Sequence, residues 1–210
     1  MEGTYALGPS QLFTVFFIML GPFQMIQPFA KATKDMSQSQ VNSLAVKSTL
    51  VVIPILIVLG LFGRVLMENW QIPRAVLELT AGLIFAVVAF SILLKGSQKT
   101  EEKSDEPADR EPISALGVAM KMVVSAHGLA TLIVLLAVSQ DNARTLLIFG
   151  VLIGVMILNM LAMIYKRIFL GKVGVVAMQV FGVVLGVMQA GLALAIIHLS
   201  LMELHKDIFS

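Results

Sequence analysis

Six times along this chain a run of about twenty or more apolar residues is closed off by charge. The runs cover about 9–30, 44–67, 75–94, 113–138, 145–165 and 173–201. Between them stand Lys31 and Lys34, Arg64, Arg74, Lys95, Glu111, Arg144, Lys166 and Lys172. A helix needs roughly 20 apolar residues to cross a hydrocarbon core of about 30 Å. Lipid supplies no water to backbone N–H and C=O groups, so a crossing must satisfy them internally, as a helix does. The pattern therefore predicts an all-α membrane protein with six transmembrane helices. Composition agrees: 58% of residues are hydrophobic and 13% charged, against roughly 45–50% and 25% in soluble domains. The opening MEGTYALGPS has no basic stretch and no small-residue cleavage site, so the first run reads as a retained crossing.

The chain has no cysteine, which excludes disulfides, thiolate metal sites and cysteine nucleophiles. No H-E-x-x-H, G-x-S-x-G or phosphate loop is present, and the histidines at 127, 198 and 205 are scattered. No enzyme activity, cofactor or metal is expected. The 13 methionines suit an adaptable apolar interior.

Lysine and arginine divide unevenly between the two sides. The 31–47, 95–111 and 166–172 loops carry ten, and the other side carries four: Arg64, Arg74, Arg144 and Lys206. The richer side is expected to be cytoplasmic, which places both termini outside and the protein in an inner membrane. These residues are topology signals, and no nucleic-acid partner is expected. The segment GSQKTEEKSDEPADREP (96–112) lacks the large apolar residues needed to order itself and reads as a flexible cytoplasmic linker. It separates 1–95 from 113–210, three crossings from three. An odd number per half inverts the second half relative to the first, an arrangement common among transporters. An offset of 100 residues aligns Gly82 with Gly182 and Ala86 with Gly186.

Polar residues inside the apolar runs narrow the functional question, because each needs a partner in hydrocarbon. In LGPFQMIQPFAK (20–31), Pro22 removes a backbone donor and clashes with the preceding turn. The helix is expected to bend or open at Gly21–Pro22, with Gln24 and Gln27 serving the freed groups or lining a wet cavity. In AMKMVVSAHGLAT (119–131), Lys121, Ser125 and Gly128 share one helical face. His127 sits beside a glycine near the same depth as Pro22. In an inverted pair these stretches are symmetry mates, and paired interruptions of this kind point to a substrate site. Gly21, Pro22, Gln24, Ser125, His127 and Gly128 are the candidate binding residues, with His127 a candidate proton carrier. Lys121 either joins the site or extends to the cytoplasmic surface. Glu78 is too far from Lys121 along the membrane normal to pair with it. Asn159, Gln179 and Gln189 are expected to bond between helices. Gly150-x-x-x-Gly154 and Gly182-x-x-x-Gly186 predict tight helix crossings, within or between chains.

Taken in order, several segments resemble the MarC family of bacterial and archaeal inner-membrane proteins, within the LysE-type transporter superfamily. They are GPFQMIQP (21–28), FGRVLMENWQI (62–72), LELTAG (77–82), AHG (126–128) and QVFG (179–182). The likeness runs over about residues 11–200. Gly21 stands where the family has Asn or Asp, His127 where it has proline, and Glu78 and Gln179 where it has arginines. The resemblance implies transport or export of small solutes, small neutral amino acids above all. The alternative is a non-transporting subunit packed on a larger membrane complex. The expected partners are the bilayer, a small polar solute, and further copies or other membrane subunits.

Overall fold

A computed structural model describes residues 7–97, 114–118, 125–139, 141–169 and 171–209. Among these residues there are nine helices and no strand: α1 (Pro9–Leu20), α2 (Pro22–Ala32), α3 (Gln38–Asn69), α4 (Arg74–Ser97), α5 (Ala115–Val118), α6 (Ala126–Ala137), α7 (Asn142–Ile164), α8 (Lys166–Phe169) and α9 (Lys172–Phe209). Four of them, α3, α4, α7 and α9, are long and apolar enough to cross a membrane. α1 and α6 are apolar but have 12 residues each, about 18 Å of helix, which falls short of the hydrocarbon core. The first and fourth apolar runs are therefore the two that are interrupted. The expected linker lies outside the described residues beyond Gly96 and Ser97, which finish α4. Lys121 also lies outside them.

Local sequence accounts for the helix starts. Ser37 and Gln40 form a reciprocal cap on α3: Gln40 N–H donates to Ser37 Oγ at 3.4 Å, and Ser37 N–H donates to Gln40 Oε1 at 2.9 Å. Asp141 Oδ1 accepts from Arg144 N–H at 2.5 Å and caps α7. α3 ends at Trp70, followed by Gln71 at φ 50°, the left-handed conformation that closes many helices. The turn to α4 follows through Pro73, whose carbonyl accepts from Val76 and Leu77 N–H.

The interior is built from Leu12, Phe16, Met19, Phe29, Leu56, Phe85, Leu132, Leu136, Ile148 and Leu152, all fully buried. The outside is equally apolar: Leu50, Phe62, Leu83, Val87, Leu94, Leu146 and Val180 are exposed. In water such a surface would be unstable. It is what helices facing lipid tails carry.

Glycine sets two of the close crossings. A Cβ at Gly60 would lie 2.9 Å from Leu136 Cδ1, and one at Gly63 would lie 2.5 Å from Ile133 Cγ1, so α3 and α6 approach through these glycines. On α4, a Cβ at Gly82 would lie 2.7 Å from Ile197 Cγ1 and 3.3 Å from the Ala193 carbonyl of α9. Farther along the same pair, a Cβ at Gly186 of α9 would lie 3.3 Å from Leu93 Cδ2 of α4. Gln189 Nε2 fastens the two helices by donating to the Phe85 carbonyl at 3.3 Å. Of the two Gly-x-x-x-Gly pairs, only Gly186 has a neighbour that a Cβ would meet among the described residues. Gly150, Gly154 and Gly182 have none within 4 Å of a built Cβ.

Candidate functional site

The first apolar run is broken at one residue. Gly21 has φ −79° and ψ −179°, extended backbone between α1 and α2, and Pro22 opens α2 as its first residue. Proline suits that position, since the first helical N–H has no intrahelical partner anyway. Any side chain at Gly21 would drive its Cβ into the Phe17 carbonyl. Glycine is therefore required by the geometry of the break, and an Asn or Asp at this position would need a different local path. Gly21 and Pro22 are buried.

A broken helix leaves its last carbonyls without their usual donors, and in lipid each such group costs several kcal/mol unless partnered. Two of them find partners on other helices. Ser125 Oγ donates to the Met19 carbonyl at 2.9 Å. Asn159 Nδ2, in the C-terminal part of α7, donates to the Leu20 carbonyl at 2.5 Å. Ser125 has a second role: with extended backbone at φ −84° and ψ 144° it is the N-cap of α6, and its Oγ accepts from Gly128 N–H at 3.0 Å. One hydroxyl thus closes the end of α1 and the start of α6 together. Gly128 keeps the two elements in contact, since a Cβ there would overlap the Leu20 side chain and lie 2.9 Å from Ser125 Oγ.

The predicted residues therefore separate into groups. The end of α1 at Gly21, Ser125 and Gly128 come together. Ala126 and His127 point to the surface of the chain. Gln24 lies on the first turn of α2, and its side chain is outside the described residues, as is that of Gln27. The break in the fourth run falls at Ser125, one residue before the Ala126–His127–Gly128 stretch expected to be irregular. Asn159 is the site residue missing from the sequence-based set. Its signal was a lone amide among leucines and methionines, read correctly as an interhelical bond but not as a cap on the broken helix.

The site holds unused bonding capacity. Asn159 Oδ1 is buried without a hydrogen-bond partner among the described residues. On the far side of the break, the N-cap of α2 is a glycine with no side chain to satisfy the first-turn N–H groups. A buried acceptor thus lies beside a helix N-terminus, which favours negative charge.

Two clefts flank the bundle at opposite ends. One, between α4, α6 and α9, is lined by Leu7, Phe85, Val134 and Leu135, with Glu78 and Arg144 among its polar residues and about 30 Å³ of open space, room for a water. Glu78 pairs with Arg74 at 2.7 Å. Arg144 Nε is buried there without a partner. The other cleft, at the α2–α3 turn, is larger. No group of His, Asp or Glu suited to a metal ion occurs among the described residues.

The interrupted helix, its polar caps and the apolar exterior are carried by a sequence with a clear relationship to known proteins. A family model described as MarC family integral membrane protein matches residues 10–204. No curated protein and no solved structure matches the chain. Because the family match takes in the break at Gly21 and both helices that cap it, and extends over almost all 210 residues, the chain belongs to the MarC family of integral membrane proteins.

Proposed function

We propose that this protein is a six-crossing inner-membrane transporter or exporter of a small polar solute of the neutral amino acid type. In this reading the two three-helix halves are inverted about the 96–112 linker and both termini lie outside. The observation that carries it is the break at Gly21, where Ser125 and Asn159 hold the exposed carbonyls of α1. A helix whose only task is to anchor a protein has no use for an interruption that two other helices must repair. A solute carboxylate would take the first-turn N–H groups of α2 at Phe23 and Gln24, where the helix dipole favours it. Its ammonium would take Asn159 Oδ1. Ser125 and Gly128 set the spacing between α1 and α6, and His127, on the surface beside the cap, is the candidate proton carrier. Rocking one half against the other would then expose the break to each side in turn.

The test is solute flux in proteoliposomes, screened over small neutral amino acids. Ser125→Ala and Asn159→Leu are expected to lower flux about tenfold or more while the protein stays folded by circular dichroism and gel filtration. His127→Ala should alter the pH dependence of flux while leaving solute affinity near wild type. Flux unchanged by both Ser125→Ala and Asn159→Leu would remove the break from the pathway, and no flux for any solute would overturn the transport reading.

A second reading, a non-transporting subunit, is favoured by one observation. Gly150 and Gly154 lie on the outer face of α7, where a Cβ would meet nothing within 4 Å among the described residues, the arrangement a partner helix would use. Stable co-purification with a different membrane protein in mild detergent would select it.

A further inference from the structure

We propose that the cleft between α4, α6 and α9 is a binding site for the carboxylate of a small organic acid, with Arg144 as the recognising group. None of the residues at the break in the first apolar run lines it. Its walls come from Ala81 and Phe85 on α4, Val134 and Leu135 on α6 and Ile196 on α9, and Arg144 reaches it from the first turn of α7. These five wall residues are apolar and buried. The open space is about 30 Å³, enough for about two water-sized groups and so for the two oxygens of a carboxylate.

The guanidinium is what points to a ligand. Arg144 Nε is fully buried and has no hydrogen-bond partner among the described residues, where the guanidinium also forms no ion pair. A charged N–H taken out of water without an acceptor is costly. The two carboxylates whose charge reaches Arg144 are Glu78 and Asp141, and both are committed to other donors. Glu78 Oε1 accepts from Arg74 Nε at 2.7 Å. Asp141 Oδ1 accepts from the backbone N–H of Arg144 as the cap of α7. The cap thus satisfies the backbone of Arg144, while its side chain keeps a donor at the cleft wall.

The surroundings narrow the ligand. The planar fork of a guanidinium matches the two oxygens of a carboxylate through parallel hydrogen bonds. Apolar walls lower the local dielectric and strengthen that pairing. They also suit a short alkyl group better than a hydrated inorganic ion. Glu78, whose side chain is 14% exposed, adds an acceptor at the same cleft, where an ammonium next to the carboxylate would find a partner. Two sources present this chemistry, a short-chain monocarboxylic acid and a small amino acid, and the experiment separates them.

The test uses the full-length protein in neutral detergent, with affinity measured by titration calorimetry and folding by gel filtration and thermal denaturation. The probes are propionate, L-alanine, ethylamine and chloride at matched ionic strength. Propionate and L-alanine are expected to bind, and ethylamine and chloride are not. Arg144→Gln should weaken propionate binding about tenfold or more. Arg144→Lys keeps the charge, loses the fork, and should weaken it as well. Both variants leave Ser125 and Asn159 in place, so a loss in them is assigned to the cleft and not to the break. Without ligand, Arg144→Gln should unfold at or above the wild-type midpoint, because a buried donor without a partner has gone. A marked fall would reveal an internal partner and overturn the site. Alanine binding tighter than propionate assigns the carboxylate to an amino acid whose ammonium meets Glu78, the reverse order assigns it to a plain acid, and either order supports the site. Equal responses to propionate and chloride, or propionate affinity unchanged in Arg144→Gln, overturn it.

Discussion

At the scale of single residues, the break in the first apolar run is a set of steric requirements. Gly21 has no room for a Cβ because the Phe17 carbonyl occupies the space, and Gly128 has none because Leu20 does. Gly128→Ala is expected to destabilise the protein by about 1–3 kcal/mol through overpacking. Leu20→Ala alone should cost about 2–5 kcal/mol through loss of buried volume. In the double variant the new methyl enters the space Leu20 vacated, so its cost should fall at least about 1 kcal/mol below the sum. Unfolding midpoints of the four proteins in the same detergent check this, and additive costs would show that the two side chains do not compete for one space. The interruption at Gly21–Pro22 was legible because glycine and proline act on their own backbone. Asn159 was not, because its part depends on which helix packs at the break. The Leu20 carbonyl and the Asn159 amide are 139 positions apart in the chain.

At the scale of elements, the apolar runs located every long helix, with ends that extend up to eight residues beyond the runs. The second run, expected over 44–67, became Gln38–Asn69, and the fifth, over 145–165, became Asn142–Ile164. Hydrophobic length is a local property, so it survives without knowledge of neighbours. Helix contacts do not. The motif search found Gly150 and Gly154, which face outward, and missed Gly60 and Gly63, which hold α3 against α6 at a spacing of three. A glycine pair marks where close approach is allowed, and only the packing decides whether it happens. Gly63→Leu should therefore cost about 1–3 kcal/mol, read as a lower thermal midpoint in detergent. Gly150→Leu should change the midpoint of the monomer by no more than about 0.5 kcal/mol. If Gly150→Leu also shifts the oligomeric state, α7 carries a subunit contact.

At the scale of the whole molecule, the two ends differ in character. One end carries the Arg74–Glu78 pair, Arg144 and the exposed Trp70 at the close of α3. The other carries Lys34, Lys166 and the exposed Tyr165. Aromatic residues at both ends match the two interfaces of a bilayer. The proposed orientation rests on the count of basic residues, and since the chain has no cysteine it can be read by single-cysteine labelling. Asn142→Cys is expected to react with a membrane-impermeant maleimide in intact cells with an opened outer envelope. Lys34→Cys should react only after the inner membrane is permeabilised. Labelling of both from the same side would invalidate the proposed topology.

The caps on α1 also bear on how the protein is made. The Met19 carbonyl waits for Ser125, 106 residues later, and the Leu20 carbonyl waits for Asn159, 139 residues later. At synthesis rates of about 5–20 residues per second, the second interval is roughly 7–28 s. Throughout it, the first apolar segment has emerged but lacks the side chains that let its broken end reside in hydrocarbon. It must therefore stay near water or against the insertion machinery, and settle laterally only when α7 arrives. Biogenesis of this protein is committed late, and a truncation before residue 159 leaves its first helix without a finished place in the membrane.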